Sequence, residues 1–252
     1  MMVTVGAVIG PATALALLAL LDHDYPMLFA LTLVPGLAAA ALMAFVVREQ
    51  ARTAVSHIRF GASLRELPAE FRRLLIAVGL FGLGDFAHTM LILLAVQSLA
   101  PTLGAATAAS FGAGLYLLHN ALYATFAMAA GWLADHFDKR RVLATGYLLA
   151  AVMGIAIVAL PPNLWTLALV FALGGVYVAI EETLEDSLCA ELVPPAQHGM
   201  AFGTLATVNG IGDFASSIVV GLLWTTLGTT AAFGYSAVLA ACGAALVLRV
   251  KG

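Results

Sequence analysis

Asp85 and His88 stand three residues apart inside an apolar run, with Thr89 beside them. On a helix that spacing makes them neighbours on one face, and a carboxylate next to an imidazole can hold one proton between them and exchange it at accessible pH. A second carboxylate, Asp213, lies in another apolar run with Asn209, Ser216 and Ser217 around it, a single polar stripe at helical spacing. Both aspartates sit in a repeated hexapeptide, Gly82-Leu83-Gly84-Asp85-Phe86-Ala87 and Gly210-Ile211-Gly212-Asp213-Phe214-Ala215. The glycines of the repeat read as close-packing positions. A charge at mid-bilayer costs about 3 kcal/mol or more and normally faces the interior of a helix bundle. Asp85, His88, Asn209 and Asp213 are therefore the candidate substrate or proton site. The alternative is a polar pair that merely satisfies itself between helices.

A second acidic group, Glu181, Glu182, Glu185 and Asp186, falls within one arc of roughly 140° on a helix. It lies toward the end of its apolar run, where the carboxylates either reach headgroups or pair with Arg140 and Arg141, since four like charges in two turns otherwise repel. Those arginines belong to a tight charged turn, Gly131-Trp132-Leu133-Ala134-Asp135-His136-Phe137-Asp138-Lys139-Arg140-Arg141. His119 and Asn120 face either a cavity or a neighbouring helix through a hydrogen bond.

The elements that must position these residues follow from composition. Of 252 residues, 62% are hydrophobic and 10% charged, and the mean hydropathy is +1.02. That leaves too little polar surface to cover a soluble globule, so the bilayer is the expected solvent. Eight apolar spans are expected, at about 2–21, 26–47, 74–99, 105–134, 142–160, 164–193, 199–227 and 230–248, each long enough to cross a hydrocarbon core. Only a helix satisfies its own backbone there, so the fold class is all-α. All eleven Lys and Arg residues fall on one side: Arg48, Arg52, Arg59, Arg65, Arg72 and Arg73 after the second span, Lys139 to Arg141 after the fourth, Arg249 and Lys251 after the eighth. The positive-inside rule makes that side cytoplasmic, with both termini on it. A net charge of −3 gives no case for nucleic acid. Cys189 and Cys242 lie in apolar runs and read as buried, inert thiols. Neither a metal site nor a cofactor is expected, and no Gly-Lys-Ser/Thr loop for ATP is present. Met1-Met2-Val3-Thr4 has no basic leader region and is not read as a signal peptide.

Gly131-x-x-x-Asp135 followed by Lys139, Arg140 and Arg141 resembles the loop signature of the major facilitator superfamily, with His136 and Asp138 replacing a usual basic residue and a usual Gly. Gly6-x-x-x-Gly10-Pro11 resembles an element of that family's fifth helix found chiefly in exporters and antiporters, although Ala14-Leu15 replaces the usual trailing glycines. Small residues four apart let helices pack closely, and Pro permits a bend. The resemblance implies two six-helix halves joined by a long cytoplasmic loop. On it, residues 1–47 are the last two helices of the N-terminal half, 48–73 the central loop and 74–252 the six-helix C-terminal half. The first four helices are then absent, to be supplied upstream or by another chain. The charged turn, with Glu181, Glu182 and Glu185, becomes a conformational latch rather than a plain topology signal.

Gly-x-Gly-Asp also resembles the active-site motif of intramembrane aspartyl proteases, where two aspartates share one proton. The Tyr-Asp and Pro-Ala-Leu elements of that family do not occur in this sequence. The expectation is thus not an enzyme but a secondary transporter in a bacterial-type inner membrane, exporting a small solute in exchange for protons. A half-transporter subunit that does not itself transport is the alternative.

Overall fold

Nine α-helices and one short 3₁₀ turn carry the residues described by the computed structural model: 2–21, 24–45 and 67–250. The expected loop basics Arg48, Arg52, Arg59 and Arg65, and also Lys251, lie outside the described residues. The helices are α1 (Met2–Leu20), α2 (Tyr25–Phe45), α3 (Ala69–Gly82), α4 (Thr89–Leu103), α5 (Ala105–His136), α6 (Lys139–Ala159), α7 (Leu164–Leu192), α8 (His198–Leu227) and α9 (Thr229–Val247). Among the described residues the fold is all-α, and five of the helical segments are long and apolar enough to cross a membrane.

Seven of the eight expected spans match single helices, two at the N-terminus and five from α5 onward, to within a few residues. Helix α3 begins at Ala69, so Arg72 and Arg73, expected in the loop, stand in its first turns, where Arg73 pairs with Glu70 at 2.5 Å. The larger correction concerns the expected third span, 74–99, which is two helices. Helix α3 stops at Gly82 and α4 starts at Thr89, with Asp85, Phe86 and Ala87 outside any helix or turn.

Helices α3 to α9 form one bundle whose closest pairings are α5 with α7, α6 with α9 and α6 with α7. The α5–α7 crossing is tight because Gly175 carries no side chain: a Cβ there would lie 2.2 Å from the His119 carbonyl oxygen. At the centre Phe81 stacks on Tyr147 with ring centroids 3.7 Å apart, and Tyr177 meets the edge of Phe81. The connections are short. Gly104 (φ 81°) and Gly228 (φ 89°) each join two helices by a single residue in the left-handed region, a conformation that glycine alone adopts without steric cost. Asn163 caps α7 by accepting from the Trp165 and Thr166 amides.

By contrast α1 leans on α5 and α2 packs little, mainly against α1. Along α2 the apolar side chains point outward, as Phe29, Leu33, Leu37 and Phe45 do. Such exposure suits lipid or further protein as surroundings, not water. The close approach expected at Gly6 and Gly10 is not made: a Cβ on either would meet nothing within 4 Å among the described residues. Helix α1 runs through Pro11. Cys189 is buried as expected, whereas Cys242 is exposed on α9.

Candidate functional site

The interruption between α3 and α4 creates the site. Within a continuous helix the Asp85 amide would bond to the Phe81 carbonyl; here that carbonyl accepts from Gly84 N, and Asp85 N turns to Gly82 O. Three more backbone groups of the interruption are met by side chains from two other helices. Ser217 on α8 accepts from the Ala87 amide at 3.1 Å, Ser216 donates to the Asp85 carbonyl, and Tyr235 on α9 donates to the Leu83 carbonyl at 2.9 Å. Unpaired backbone groups in an apolar interior are costly, so these three hydroxyls are what lets a spanning segment unwind. Gly84 is required at the bend, since a Cβ there would lie 2.8 Å from Leu239 Cβ.

Asp85 and His88 therefore do not share a helical face, as the sequence suggested. They are joined through α7 instead: the buried Tyr177 hydroxyl donates to Asp85 Oδ1 at 2.8 Å and also bonds His88 Nε2. A hydroxyl between a carboxylate and an imidazole can donate to either while accepting from the other, so one proton can pass between the two ends. The His88 ring lies 5.0 Å from that of His119, which is 4% exposed and whose Nδ1 has no hydrogen-bond partner among the described residues. Asn120 bonds the Tyr116 carbonyl within its own helix. Asp85 also borders an internal void of about 10 Å³ with Ser236 and Tyr177, near the minimum for one water.

Tyr177, Glu181 and Glu185 stand four apart on α7 and so form one stripe along it. Glu185 is 2% exposed and accepts from Tyr147 on α6 at 2.5 Å and from Asn209 on α8 at 2.7 Å. Glu182 accepts from Tyr123 on α5. Glu181, 9% exposed, makes no hydrogen bond among the described residues. Asn209 thus serves Glu185 and not Asp213. Asp213 itself is exposed on α8, beside the exposed Ile211 and Phe214, and shares no hydrogen bond with Asp85, so the two do not form a proton-sharing dyad.

The pairing expected between the acidic cluster and Arg140 or Arg141 is not made. Helices α6 and α7 run antiparallel, and their register brings Glu191, not Glu185, to Lys139, at 2.7 Å. Six residues separate these two glutamates, which sets the buried one about 9 Å deeper. Arg140 bonds Asp138 at 3.0 Å and the Val250 carbonyl at 2.9 Å, tying the α5–α6 turn to the end of α9. Asp138 caps α6 through the Arg140 amide, and the hydrogen-bonded guanidinium holds its carboxyl below the usual carboxylate range. Asp135 is exposed and unpaired among the described residues, and Gly131 has only Thr183 within 4 Å of a Cβ. Arg73 and Arg249 line one groove at the ends of α3 and α9.

Sequence reasoning missed Tyr123, Tyr147 and Tyr177, the hydroxyls that make these carboxylates tolerable. The signal available was spacing: Tyr177 precedes Glu181 by the same four residues that separate Glu181 from Glu185.

Residues 74–251 match the Major Facilitator Superfamily. Over 247 residues, 98% of this chain, the sequence is 26% identical to an uncharacterized MFS-type transporter of Methanocaldococcus jannaschii, and the chain spans 61% of that relative's length. It is 31% identical over 121 residues to the MFS-type transporter ppzB of Metarhizium rileyi, which covers 48% of this chain and 25% of that one. A crystal structure of a mutant of the peptide transporter POT in complex with alafosfalin superposes with a TM-score of 0.59, at 18% identity, covering 77% of this chain and 42% of the other. That likeness is one of fold.

Proposed function

The chain belongs to the major facilitator superfamily, a membrane transporter family, and from that premise we propose that it is the larger part of a proton-coupled exporter of a small solute. Residues 1–47 are read as the end of one half and 74–252 as the other half, with further helices completing the cavity. The observation that carries the reading is Asp85 at the break of a spanning segment, joined through Tyr177 to His88. This arrangement offers a proton a carboxylate and an imidazole at one depth, and its backbone is held by hydroxyls that can change partners. Alternating access requires such a bistable element near the midplane. Export rather than import rests on the Gly6-x-x-x-Gly10-Pro11 resemblance. Lys139 with Glu191 and Arg140 with Val250 supply a latch at the basic end, read as cytoplasmic with both termini in an inner membrane.

The test is a panel of toxic solutes against an efflux-deficient bacterial strain expressing the complete protein, followed by flux in everted vesicles under an imposed pH gradient. Asp85→Asn should abolish gradient-driven flux at normal membrane abundance. Undiminished driven flux in Asp85→Asn would assign Asp85 to structure.

A further inference from the structure

We propose that the groove between the start of α3 and the end of α9 binds an anionic phospholipid, with the phosphodiester on Arg73 and Arg249 and an acyl chain along Ile76 and Leu246. The site is independent of what the protein transports.

Helices α3 and α9 pack antiparallel. Deep in the bundle a Cβ on Gly243 would lie 2.8 Å from Phe81 Cβ, and toward the basic end Arg73, Ile76, Leu246 and Arg249 enclose a groove of about 410 Å³. That volume falls in the range of small-molecule pockets, about 300–1,000 Å³. Each side contributes one arginine and one aliphatic residue three positions apart, so the arginines stand at the outer end and the aliphatic pair deeper in the apolar span. The turn carrying Arg249 is fixed. Its amide bonds the Leu246 carbonyl at 2.9 Å, and the next residue, Val250, is buried with its carbonyl on Arg140.

Both guanidiniums are open to an anion. Arg249 makes no side-chain hydrogen bond or ion pair among the described residues, and Arg73 meets Glu70 in an exposed pair, a kind that adds little to stability. Arg72 is exposed next to Arg73. Three arginines against one glutamate leave this corner positive. A second groove at the same end, about 350 Å³ beside Arg141, carries Asp138 on its own rim, which offsets its single cation.

The occupant follows from charge and depth. A guanidinium fork matches two phosphate oxygens, while Ile76, 64% exposed, is suited to hydrocarbon rather than water. The basic end is read as cytoplasmic, and that leaflet is the one made negative by anionic lipids. Phosphatidylglycerol keeps its single negative charge there, whereas the ammonium of phosphatidylethanolamine is repelled by the arginines.

The test is equilibrium binding of fluorescent dioleoyl-phosphatidylglycerol to the complete protein in dodecyl maltoside, competed by unlabelled compounds. Dioleoyl-phosphatidylglycerol should compete at least tenfold better than dioleoyl-phosphatidylethanolamine, and at least tenfold better than glycerophosphoglycerol, the same headgroup without its chains. Arg73→Gln and Arg249→Gln should each weaken binding at least fivefold, and Arg141→Gln, at the other groove, should change it less than twofold. Should Arg73→Gln disturb α3 by stripping Glu70 of its partner, Arg249→Gln decides alone. Equal competition by the two lipids, an equal loss in Arg141→Gln, or no loss at Arg73 and Arg249 would mean general attraction to a basic surface and would overturn the proposal. Competition by glycerophosphoglycerol as strong as by the lipid would make this a site for a soluble phosphodiester, and overturns it as well. Because lipid binding is read apart from flux, a failure of proton-driven transport would leave this site standing.

Discussion

The two copies of Gly-x-Gly-Asp-Phe-Ala meet different fates. The chain leaves the helix after Gly82, the first residue of the first copy, whereas residues 210–215 stay helical within α8. The copies touch each other: a Cβ on Gly212 would lie 2.9 Å from Gly82 Cα. Asp85 ends half-buried on Tyr177, and Asp213 ends exposed. Identical local chemistry thus gives a break in one place and a regular turn in the other, so the choice is made by neighbours. The first copy has Ser216, Ser217 and Tyr235 to satisfy its released backbone. Two of these hydroxyls belong to the helix carrying the second copy, whose own Asp213 carbonyl is met only from within that helix, by Ser216 at 3.1 Å, and by no other helix among the described hydrogen bonds.

The strongest test of that contrast is steric. Gly212→Ala must push backbone against backbone at Gly82, and Gly84→Ala must displace Leu239. Each should lose about 3 kcal/mol, the upper part of the range for overpacking, read as a lowered unfolding temperature in detergent. If both are silent, the two copies do not pack as described.

Next comes the hydroxyl that holds the break. Ser217→Ala leaves the Ala87 amide without an acceptor, which should cost about 2 kcal/mol and speed hydrogen exchange at residues 85–88. Protection unchanged there would mean that the unwound segment is held by something else.

A change at the end of the bundle should sharpen the contrast by leaving it alone. Asp138→Ala removes the cap of α6 and should cost about 1 kcal/mol without altering exchange at 85–88. The pH dependence has a definite sign. Because Arg140 lowers the Asp138 carboxyl in the folded state, its stabilisation is fully present above the ordinary value of 3.8 and is lost as pH falls through the lower folded value. The wild-type and Asp138→Ala unfolding temperatures should accordingly run parallel from pH 5 to 8 and converge only in stronger acid.

The smallest effect is expected at the position in the second copy that corresponds to Gly82. A Cβ on Gly210 meets nothing within 4 Å, so Gly210→Ala should be neutral or gain up to about 1 kcal/mol from helix propensity. A loss as large as that of Gly212→Ala would erase the distinction between an open and a packed face.

Much of this molecule was legible before any coordinates. Apolar run length placed α1, α2 and α5 to α9, since backbone self-satisfaction in lipid leaves one solution for each run. The lone intramembrane charges marked the candidate site for the same reason, since each must have a compensating partner or a function. Hydropathy continues through residues 83–88, however, so it could not reveal the interruption there. Glycine near the centre of a span permits a bend without requiring one.

Sequence alone therefore determined the solvent, the fold class and the gathering of basic residues at one end, because each depends on residue type summed along a run. Tertiary structure decided which charge meets which partner. The register of α6 against α7 gave Lys139 to Glu191 and Tyr147 to Glu185, and the crossing of α3 with α8 put Ser216 and Ser217 beside the break and left Asp213 facing out. Those outcomes depend on displacements of one helical turn between elements far apart in the chain. A hydrogen bond made or lost over a few ångströms is settled by packing, and side-chain periodicity carries no record of it.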